Sequence, residues 1–355
     1  MLRDIHKNCG AIAAWFYVRK DRVPGEIKMK SREIIQRVVA FAGPERIGMT
    51  FDRGRMSDIA GAGPTPPPGW SDRKRIEGNM EVWYDEWGNQ WHRIIGLSAG
   101  GEIREPVLKD WKDLDTLKLP DYDSPARYEN ARKAFAAYPD RYHLGSLPGF
   151  PFAIMRYMRK MEVFLADVLL HRAEVEELQR RVVALLKGVV RNMAKAGADA
   201  VFFCEDWGTQ ERLLVSPKLW RDLFKPGFAA LVCEAKANGI GVWMHSCGCV
   251  YDIVGDLAEV GMQVLQFDQP TLAGIERLGR EFGGKVTFWC PVDIQRTLQT
   301  GDRERIRAEA RLLVERLGGH RGGFIAKNYG DLKGIGAKQE WDDWAYEAFV
   351  EYGRY

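Results

Sequence analysis

The segment IGVWMHSCG, residues 240–248, is an apolar run that ends in a histidine, a serine and a cysteine. Its length and composition are typical of a buried strand. Helix-patterned segments lie on both sides of it, at 217–237 and 251–260. A short apolar strand between two long amphipathic helices favours parallel pairing through right-handed crossovers. This part of the chain therefore predicts an α/β fold.

The same alternation continues along the chain. Further helix-patterned segments lie at 31–42, 161–170, 173–196, 273–282, 303–317 and 339–352. Including Ile240–His245, the predicted strands number eight, and the others are Ile47–Phe51, Glu81–Tyr84, Tyr142–Ser146, Ala200–Cys204, Val264–Phe267, Val286–Cys290 and Gly323–Ala326. No glycine-rich phosphate loop follows any of them, which disfavours a doubly wound sheet. We therefore expect a (β/α)₈ TIM barrel.

Two segments do not follow this alternation. Residues 81–108 alternate and turn at glycines, which predicts a β-hairpin insertion, and the proline- and glycine-rich stretch Gly61–Trp70 predicts a surface loop. The residues before Met29 match no element. We expect an N-terminal extension at 1–28 and a barrel domain at 29–355.

Composition excludes several classes of protein. The 355 residues are 46% hydrophobic and carry 52 basic and 49 acidic side chains, a formal net charge of +3. This charge gives no strong field for nucleic acid or an anionic membrane, and no apolar run reaches the roughly 18 residues that span a bilayer. The six cysteines match no secreted disulfide framework, so we expect reduced thiols in a cytoplasmic protein.

The active site of a barrel lies where its strands end. His245 and Cys247, two residues apart at a strand end, point the same way and are two of the ligands that a tetrahedral zinc site uses. Cys290, two strands away, is the leading third ligand, and Glu205, on the adjacent strand, could complete the site or act as a base. The alternatives are a satisfied core histidine beside inert cysteines, and a carboxylate at a helix start. We expect Cys204 to lie in the core and Cys249 to face helix packing.

Other strand-end side chains could contact a substrate. Asp85 lies among tryptophans and could have a raised pKa, or be an ordinary hairpin residue. Asp293 binds substrate or caps the next helix, and Tyr329 is a substrate-facing phenol or a loop anchor. We expect catalytic roles for Glu205, Asp85 and Tyr329, and substrate contacts from Trp87, Trp207, Gln210, Asp268, Gln269 and Asp293.

From Met29 to its C-terminus the chain resembles the uroporphyrinogen decarboxylase superfamily, and more closely its corrinoid-dependent methyltransferase branch. The motifs that carry the resemblance are MKSREIIQRVVAFAGPERI, YDEWGNQW, SLPGFPF, EDWGTQERLLVSPKLWRDLFKP, HSCG, FDQP, VDIQRTLQTGDRERI and GGFIAKNYG. The resemblance implies a (β/α)₈ barrel whose site lies at the strand C-termini.

The resemblance also bears on activity. The decarboxylases are metal-free and hold substrate carboxylates with an arginine-rich segment, for which MTFDRGRMSDI is a poor match. The methyltransferase branch binds zinc through a His-x-Cys pair, matched by His245 and Cys247, and through a later Cys, where this chain has Tyr329. Cys290 or Glu205 must then complete the zinc site, or zinc is absent.

Three functions remain open. The first is a zinc-dependent methyltransferase that moves a methyl group between a small methylated substrate or thiol and a corrinoid carried by a partner protein. The second is a metal-independent decarboxylase or lyase that acts on a small carboxylate or cyclic substrate, and the third is a ligand-binding barrel without catalysis. A homodimer is an open alternative for the assembly.

Overall fold

The computed structural model of the chain describes residues 29–96 and 100–355, and the predicted extension at 1–28 lies outside them. The strands in chain order are β1 (Gly48–Thr50), β2 (Ile59–Ala62), β3 (Arg75–Glu77), β4 (Met80–Tyr84), β5 (Gln90–Ile94), β6 (Glu102–Glu105), β7 (Tyr142–Ser146), β8 (Ala200–Cys204), β9 (Gly241–His245), β10 (Val264–Gln266), β11 (Thr287–Cys290) and β12 (Phe324–Lys327).

The helices in chain order are α1 (Ser31–Val39), α2 (Glu129–Ala137), α3 (Pro151–Arg159), α4 (Met161–Leu170), α5 (Arg172–Lys195), α6 (Pro217–Leu219), α7 (Lys225–Ala237), α8 (Tyr251–Val260), α9 (Pro270–Ala273), α10 (Ile275–Phe282), α11 (Arg303–Leu317) and α12 (Gln339–Tyr352). A π-helical turn, Trp220–Phe224, joins α6 to α7.

Eight parallel strands form the barrel, in the order β1-β12-β11-β10-β9-β8-β7-β2. The N–H of Asp58 donates to the Met49 carbonyl at 2.8 Å and connects the two strands at the ends of this order. The expected TIM barrel is therefore confirmed. Its strand ends converge on one face, where the site residues described below lie.

Aromatic side chains fill the barrel interior. Tyr142 stacks on Trp243 at 5.1 Å, Trp243 meets Trp289 edge-on at 5.7 Å, and Trp289 packs on Phe202 at 5.4 Å. Buried side chains of α1 belong to the same inner cluster and pack near the strand starts. Helix α1 thus closes the N-terminal end of the barrel, and the C-terminal end is the open one.

The second sheet is antiparallel, in the order β3-β4-β5-β6, and it lies between β2 and β7 in sequence. The predicted hairpin insertion is confirmed, but counting Glu81–Tyr84 as a barrel strand was wrong. Those residues form most of β4, and the eighth barrel strand is β2. The reason is that Ile59–Ala62 is short and runs directly into proline and glycine, whereas the alternation of β4 is that of an antiparallel strand with one exposed face.

Within the part of the chain that the structure describes, none of the helices combines the length and the apolar character needed to cross a membrane.

Candidate functional site

Three donor atoms of different chemistry meet at the open end of the barrel. Nε2 of His245, the last residue of β9, lies 3.2 Å from Cys247 Sγ and 3.5 Å from Asp206 Oδ1. Among the described residues, these three are the group whose nitrogen, sulfur and oxygen atoms all lie within 4.8 Å of one another. We call them the donor triad.

The spacing of the donor triad suits a metal ion. A tetrahedral zinc ion bonded to nitrogen and oxygen at about 2.1 Å, and to sulfur at about 2.3 Å, would separate the donor atoms by about 3.4–3.6 Å. The observed separations of 3.2 and 3.5 Å are close to these values. Three protein ligands would leave a fourth position for a substrate atom.

Two backbone segments hold the donor triad together. The Cys247 N–H donates to Asp206 Oδ1 at 2.9 Å, and the Gly208 N–H donates to the Cys247 carbonyl at 3.2 Å. A Cβ on Gly208 would lie 2.5 Å from the Cys249 nitrogen, and one on Gly248, whose φ is +78°, would lie 2.3 Å from the Gly208 carbonyl oxygen. Both positions require glycine, because the loops after β8 and β9 touch through their backbones.

The donor triad holds opposite charges close together. Burial raises the pKa of Asp206, but hydrogen bonds from His245 and the Cys247 N–H outweigh this effect and lower the pKa to about 2. Burial lowers the pKa of His245, but Asp206 and Cys247 raise it well above its usual value. Asp206 is therefore an ionised carboxylate that attracts a cation to this position, either a proton on His245 or a metal ion.

A buried chain of polar groups orients His245. Its Nδ1 lies 2.5 Å from Gln266 Oε1, and Gln266 Nε2 donates to Asp268 Oδ1 at 2.7 Å. Lys327 Nζ donates to the same oxygen, also at 2.7 Å. In a neutral His245 whose Nδ1–H donates to Gln266, the lone pair lies on Nε2, which faces Cys247 and Asp206, and this is the form that a metal ion binds. This is the arrangement by which outer residues fix a metal-binding histidine.

Cys290 does not join the donor triad. Its neighbour Trp289 faces the barrel interior, so Cys290 points to the other face of β11, where it is fully buried in the outer core. Burial raises the pKa of its thiol, which opposes the thiolate form that binds metals. The structure therefore places Asp206, and not Cys290, beside His245 and Cys247.

Cys204 is exposed, so its predicted place in the core was wrong. It pairs in register with His245 on the neighbouring strand. Cys249 is partly buried, and its Sγ lies 3.7 Å from the Leu272 carbonyl oxygen of α9, as expected for a residue that faces a helix.

Glu205 and Trp207 point away from the barrel mouth. Glu205 is buried, and its carboxylate accepts hydrogen bonds from the Ala153 N–H of α3 at 3.1 Å and from Trp207 Nε1 at 3.0 Å. Burial raises its pKa to about 8. Trp207 is fully buried and stacks on Phe152 at 4.0 Å. Both residues anchor α3 to the barrel, which leaves the expected catalytic and substrate-binding roles without a contact to support them.

Of the other predicted residues, some hold the backbone of the loops in place and others are at least partly open to solvent. Asp293 is fully buried and accepts hydrogen bonds from the N–H groups of Gln295 and Arg296. It therefore caps the turn that follows, which is the second of the two alternatives given for it. Gln269 accepts a hydrogen bond from the Gly248 N–H at 3.0 Å and supports the loop, and Gln210 is exposed. Tyr329 is partly buried, and burial together with the charges of Asp268 and Cys247 raises the pKa of its phenol.

Asp85 and Trp87 line a separate aromatic cavity of about 460 Å³. Asp85 accepts hydrogen bonds from Asn89 Nδ2 at 2.9 Å and from Trp91 Nε1 at 2.7 Å. Most of the lining comes from the segment between β2 and β7, including the insertion, and the rest is Pro148, Ile154 and Tyr157, which follow β7. The cavity therefore lies beside the barrel mouth, against α3.

Sequence reasoning overlooked Asp206, Gln266 and Lys327. All three are two residues from another inward-facing side chain, so the alternation of a strand could have identified them. The prediction chose Glu205 because it comes directly after β8, but it is Asp206 that lies on the same side as Cys204.

The chain is similar to a known protein family and, more distantly, to solved structures. The family model for uroporphyrinogen decarboxylase (URO-D) matches residues 94–328. A methyltransferase from Methanosarcina mazei is structurally similar, with a TM-score of 0.60, 17% sequence identity, and coverage of 75% of this chain and 76% of that one. A D-psicose 3-epimerase from Clostridium cellulolyticum H10, with D-tagatose, has a TM-score of 0.39 at 8% identity, covering 68% of this chain and 86% of that one. No curated protein sequence matches this chain.

Proposed function

Because this chain belongs to the uroporphyrinogen decarboxylase family, whose model matches more than half of it, we propose that it is a zinc-dependent methyltransferase of that family. It would move a methyl group between a small methylated substrate or a thiol and a corrinoid. The observation that carries the proposal is the donor triad, which offers nitrogen, sulfur and oxygen at the open end of the barrel. The methyltransferase named among the similar folds supports the same reading.

The residues of the proposed site have distinct tasks. Asp206, His245 and Cys247 would hold the metal, and Gln266 would keep His245 in the tautomer that binds through Nε2. A zinc ion held there supplies Lewis acidity, which stabilises a bound thiol as thiolate or polarises the atom that carries the methyl group. Lys327 neutralises Asp268 behind the site, so that the anionic donors remain those at the mouth.

The corrinoid would come from a partner protein. A cobalt centre must approach within bonding reach of the methyl group, which requires an open mouth. Helix α1 closes the opposite end of the barrel, so the face with the donor triad is the one available to such a partner. Tyr329 and Cys204 would border the approach.

The test is the cobalamin absorbance spectrum. Zinc-loaded protein is mixed with cob(I)alamin and a panel of methylamines, methoxylated aromatics and methylthiols, or with methylcobalamin and thiols. We expect one donor or acceptor to change the cobalt spectrum, and we expect His245→Ala to abolish the change. If no member of the panel changes the spectrum while zinc is bound, methyl transfer is excluded, and assays for decarboxylation of small carboxylates become the next test.

A further inference from the structure

The aromatic cavity is a second candidate binding site, and none of the donor triad lines it. Nearly half of its lining residues are tryptophan or tyrosine. Trp83 and Trp91 stack at 6.0 Å, and Tyr157 of α3 meets Trp91 edge-on at 4.8 Å. These rings form a continuous wall across the insertion and the barrel. A cavity of about 460 Å³ can hold a small molecule.

The charge of the lining is negative. Asp72, Asp85 and Glu86 face one cation, Arg127, which is buried and bonded to Glu86. The Arg127 guanidinium also lies 3.7 Å from the centre of the Tyr122 ring. Neither Asp72 nor Asp85 forms an ion pair with any described residue. Within the lining, two carboxylates thus have no ion-pair partner, Asp72 and the hydrogen-bonded Asp85, and their charge attracts a cationic ligand and repels an anionic one.

Rings of this sheet already bind cations. The Arg73 guanidinium lies 3.8 Å from the centre of the Tyr84 ring, and that of Arg93 lies 5.7 Å from the centre of the Trp83 ring. Aromatic faces attract cations, and walls of tryptophan and tyrosine recognise methylated ammonium groups because such groups are charged but weakly hydrated. A neutral aromatic ligand would gain from stacking but nothing from the carboxylates.

We propose that the aromatic cavity binds a methylated ammonium cation. This inference rests on the proposed function and names the class of its methylated substrate, whose positively charged nitrogen needs no metal to polarise it because it leaves as a neutral amine when the methyl group is transferred to cobalt. The position supports it, because Arg156 Nη2 lies 3.3 Å from the Tyr157 hydroxyl and 4.0 Å from Asp206 Oδ2. One turn of α3 thus borders both the cavity and the donor triad.

The experiment compares ligands that differ in charge or in shape. Binding to the full chain is measured by calorimetry for choline, for its uncharged isostere 3,3-dimethylbutan-1-ol, and for 1,2-dimethoxybenzene. We expect choline to bind at least about tenfold more tightly than either neutral compound. Equal affinity for choline and the alcohol would overturn the inference. Tighter binding of dimethoxybenzene, or no binding of choline, would also overturn it.

Variants locate the binding. Trp91→Leu should weaken choline binding about tenfold or more, and Asp72→Asn, which removes a charge without breaking the hydrogen bonds of Asp85 to Asn89 and Trp91, should weaken it severalfold. Trp344→Leu is the matched control, since Trp344 also lies near an arginine, Arg303, but on α12 outside the cavity. Far-UV circular dichroism checks that each variant is folded. Equal choline affinity in folded Trp91→Leu and Trp344→Leu would reject this cavity.

These measurements need neither zinc nor a corrinoid. Choline binding without any change in the cobalamin spectrum would leave the cation site standing and reject methyl transfer. Methyl transfer from a neutral donor, without choline binding, would support the proposed function and reject the cation site.

Discussion

Asp206 Oδ1 lies 3.5 Å from His245 Nε2, although Asp206 follows β8 and His245 ends β9. The contact joins the loop after β8 to the end of β9. It also supplies an oxygen donor where the sequence favoured the sulfur of Cys290 as the third ligand. The resulting set of nitrogen, sulfur and oxygen donors is harder than one with two thiolates, and borderline ions such as zinc accept it.

Removing Asp206 should release the metal. Asp206→Ala should lower zinc affinity by more than the roughly 10–100-fold that loss of an outer partner costs, because a direct ligand is lost. Elemental analysis of protein loaded with zinc under reducing conditions measures the retained metal, with wild type expected to hold close to one ion per chain. Cys290→Ala is the matched control and should retain zinc. Loss of zinc in Cys290→Ala but not in Asp206→Ala would reverse our assignment.

Replacing Gln266 tests the orientation of His245. Gln266→Leu leaves Nδ1–H without its acceptor and frees the ring to adopt the other tautomer, so zinc affinity should fall about 10–100-fold. Competition with a chromogenic chelator measures the change. Thr287→Val serves as a control, because it also alters a fully buried polar side chain on a barrel strand but contacts none of the donor triad. Similar zinc affinity in the two variants would remove Gln266 from the site.

A methyl group at Gly208 should separate the two loops. Its Cβ would lie within 3 Å of three backbone atoms, which cannot yield as a flexible side chain would. Gly208→Ala should therefore destabilise the fold by about 1–3 kcal/mol, as overpacking does, and weaken zinc binding. Gly330→Ala, at which a Cβ would have no neighbour within 4 Å, should change neither property. Chemical denaturation and metal titration of both variants provide the comparison.

The stability of the barrel should depend on the protonation of Glu309. Burial raises the pKa of this carboxyl, which accepts hydrogen bonds from the Asp293 N–H and the Thr297 hydroxyl. Between the unfolded value, about 4.3, and the raised folded value, the folded chain holds a proton that the unfolded chain releases. The free energy of unfolding should thus fall as pH rises, by up to about 1.4 kcal/mol per pH unit.

Glu309→Gln provides the comparison for that slope, because a neutral amide cannot titrate. Urea denaturation between pH 4.5 and 7 should show the wild type losing stability relative to the variant as pH rises. Parallel curves for the two proteins would mean that Glu309 ionises normally in the fold.

The fold was predictable from sequence because strand and helix patterns alternate over most of the chain. The exception was β2, whose four residues adjoin glycine and proline and carry too little pattern to register. The antiparallel strand β4, with a full alternation, took its place in the prediction. The prediction missed β2 and chose β4 because of strand length and flanking residues more than because of strand composition.

The candidate site was only half predictable. His245 and Cys247 follow directly from the order of residues in one strand. Cys290 and Glu205 were chosen for their chemistry. Each comes one residue after a side chain that faces the barrel interior, so its own side chain points outward and is buried among the surrounding helices. Tracking the alternation from Phe202 through Cys204 would have selected Asp206. The position of Asp85 among tryptophans was predicted, but the cavity was not, because it depends on how the insertion packs against α3.

Residues 63–141 leave the barrel after β2 and return to it at β7, and these two strands are paired neighbours, with Ile59 beside Tyr142. The excursion therefore starts at the open end of the barrel, after Ala62, and returns at the closed end, before Tyr142, as a parallel crossover must. The antiparallel sheet β3–β6 is an addition to this crossover that pairs with no barrel strand, so exchanging it for another would alter what the cavity recognises without breaking the pairing of the strands that position Asp206, His245 and Cys247. Ligand preference can diversify in such a lineage while the reaction centre stays fixed, and chimeras that exchange this second sheet would be the natural way to redirect it.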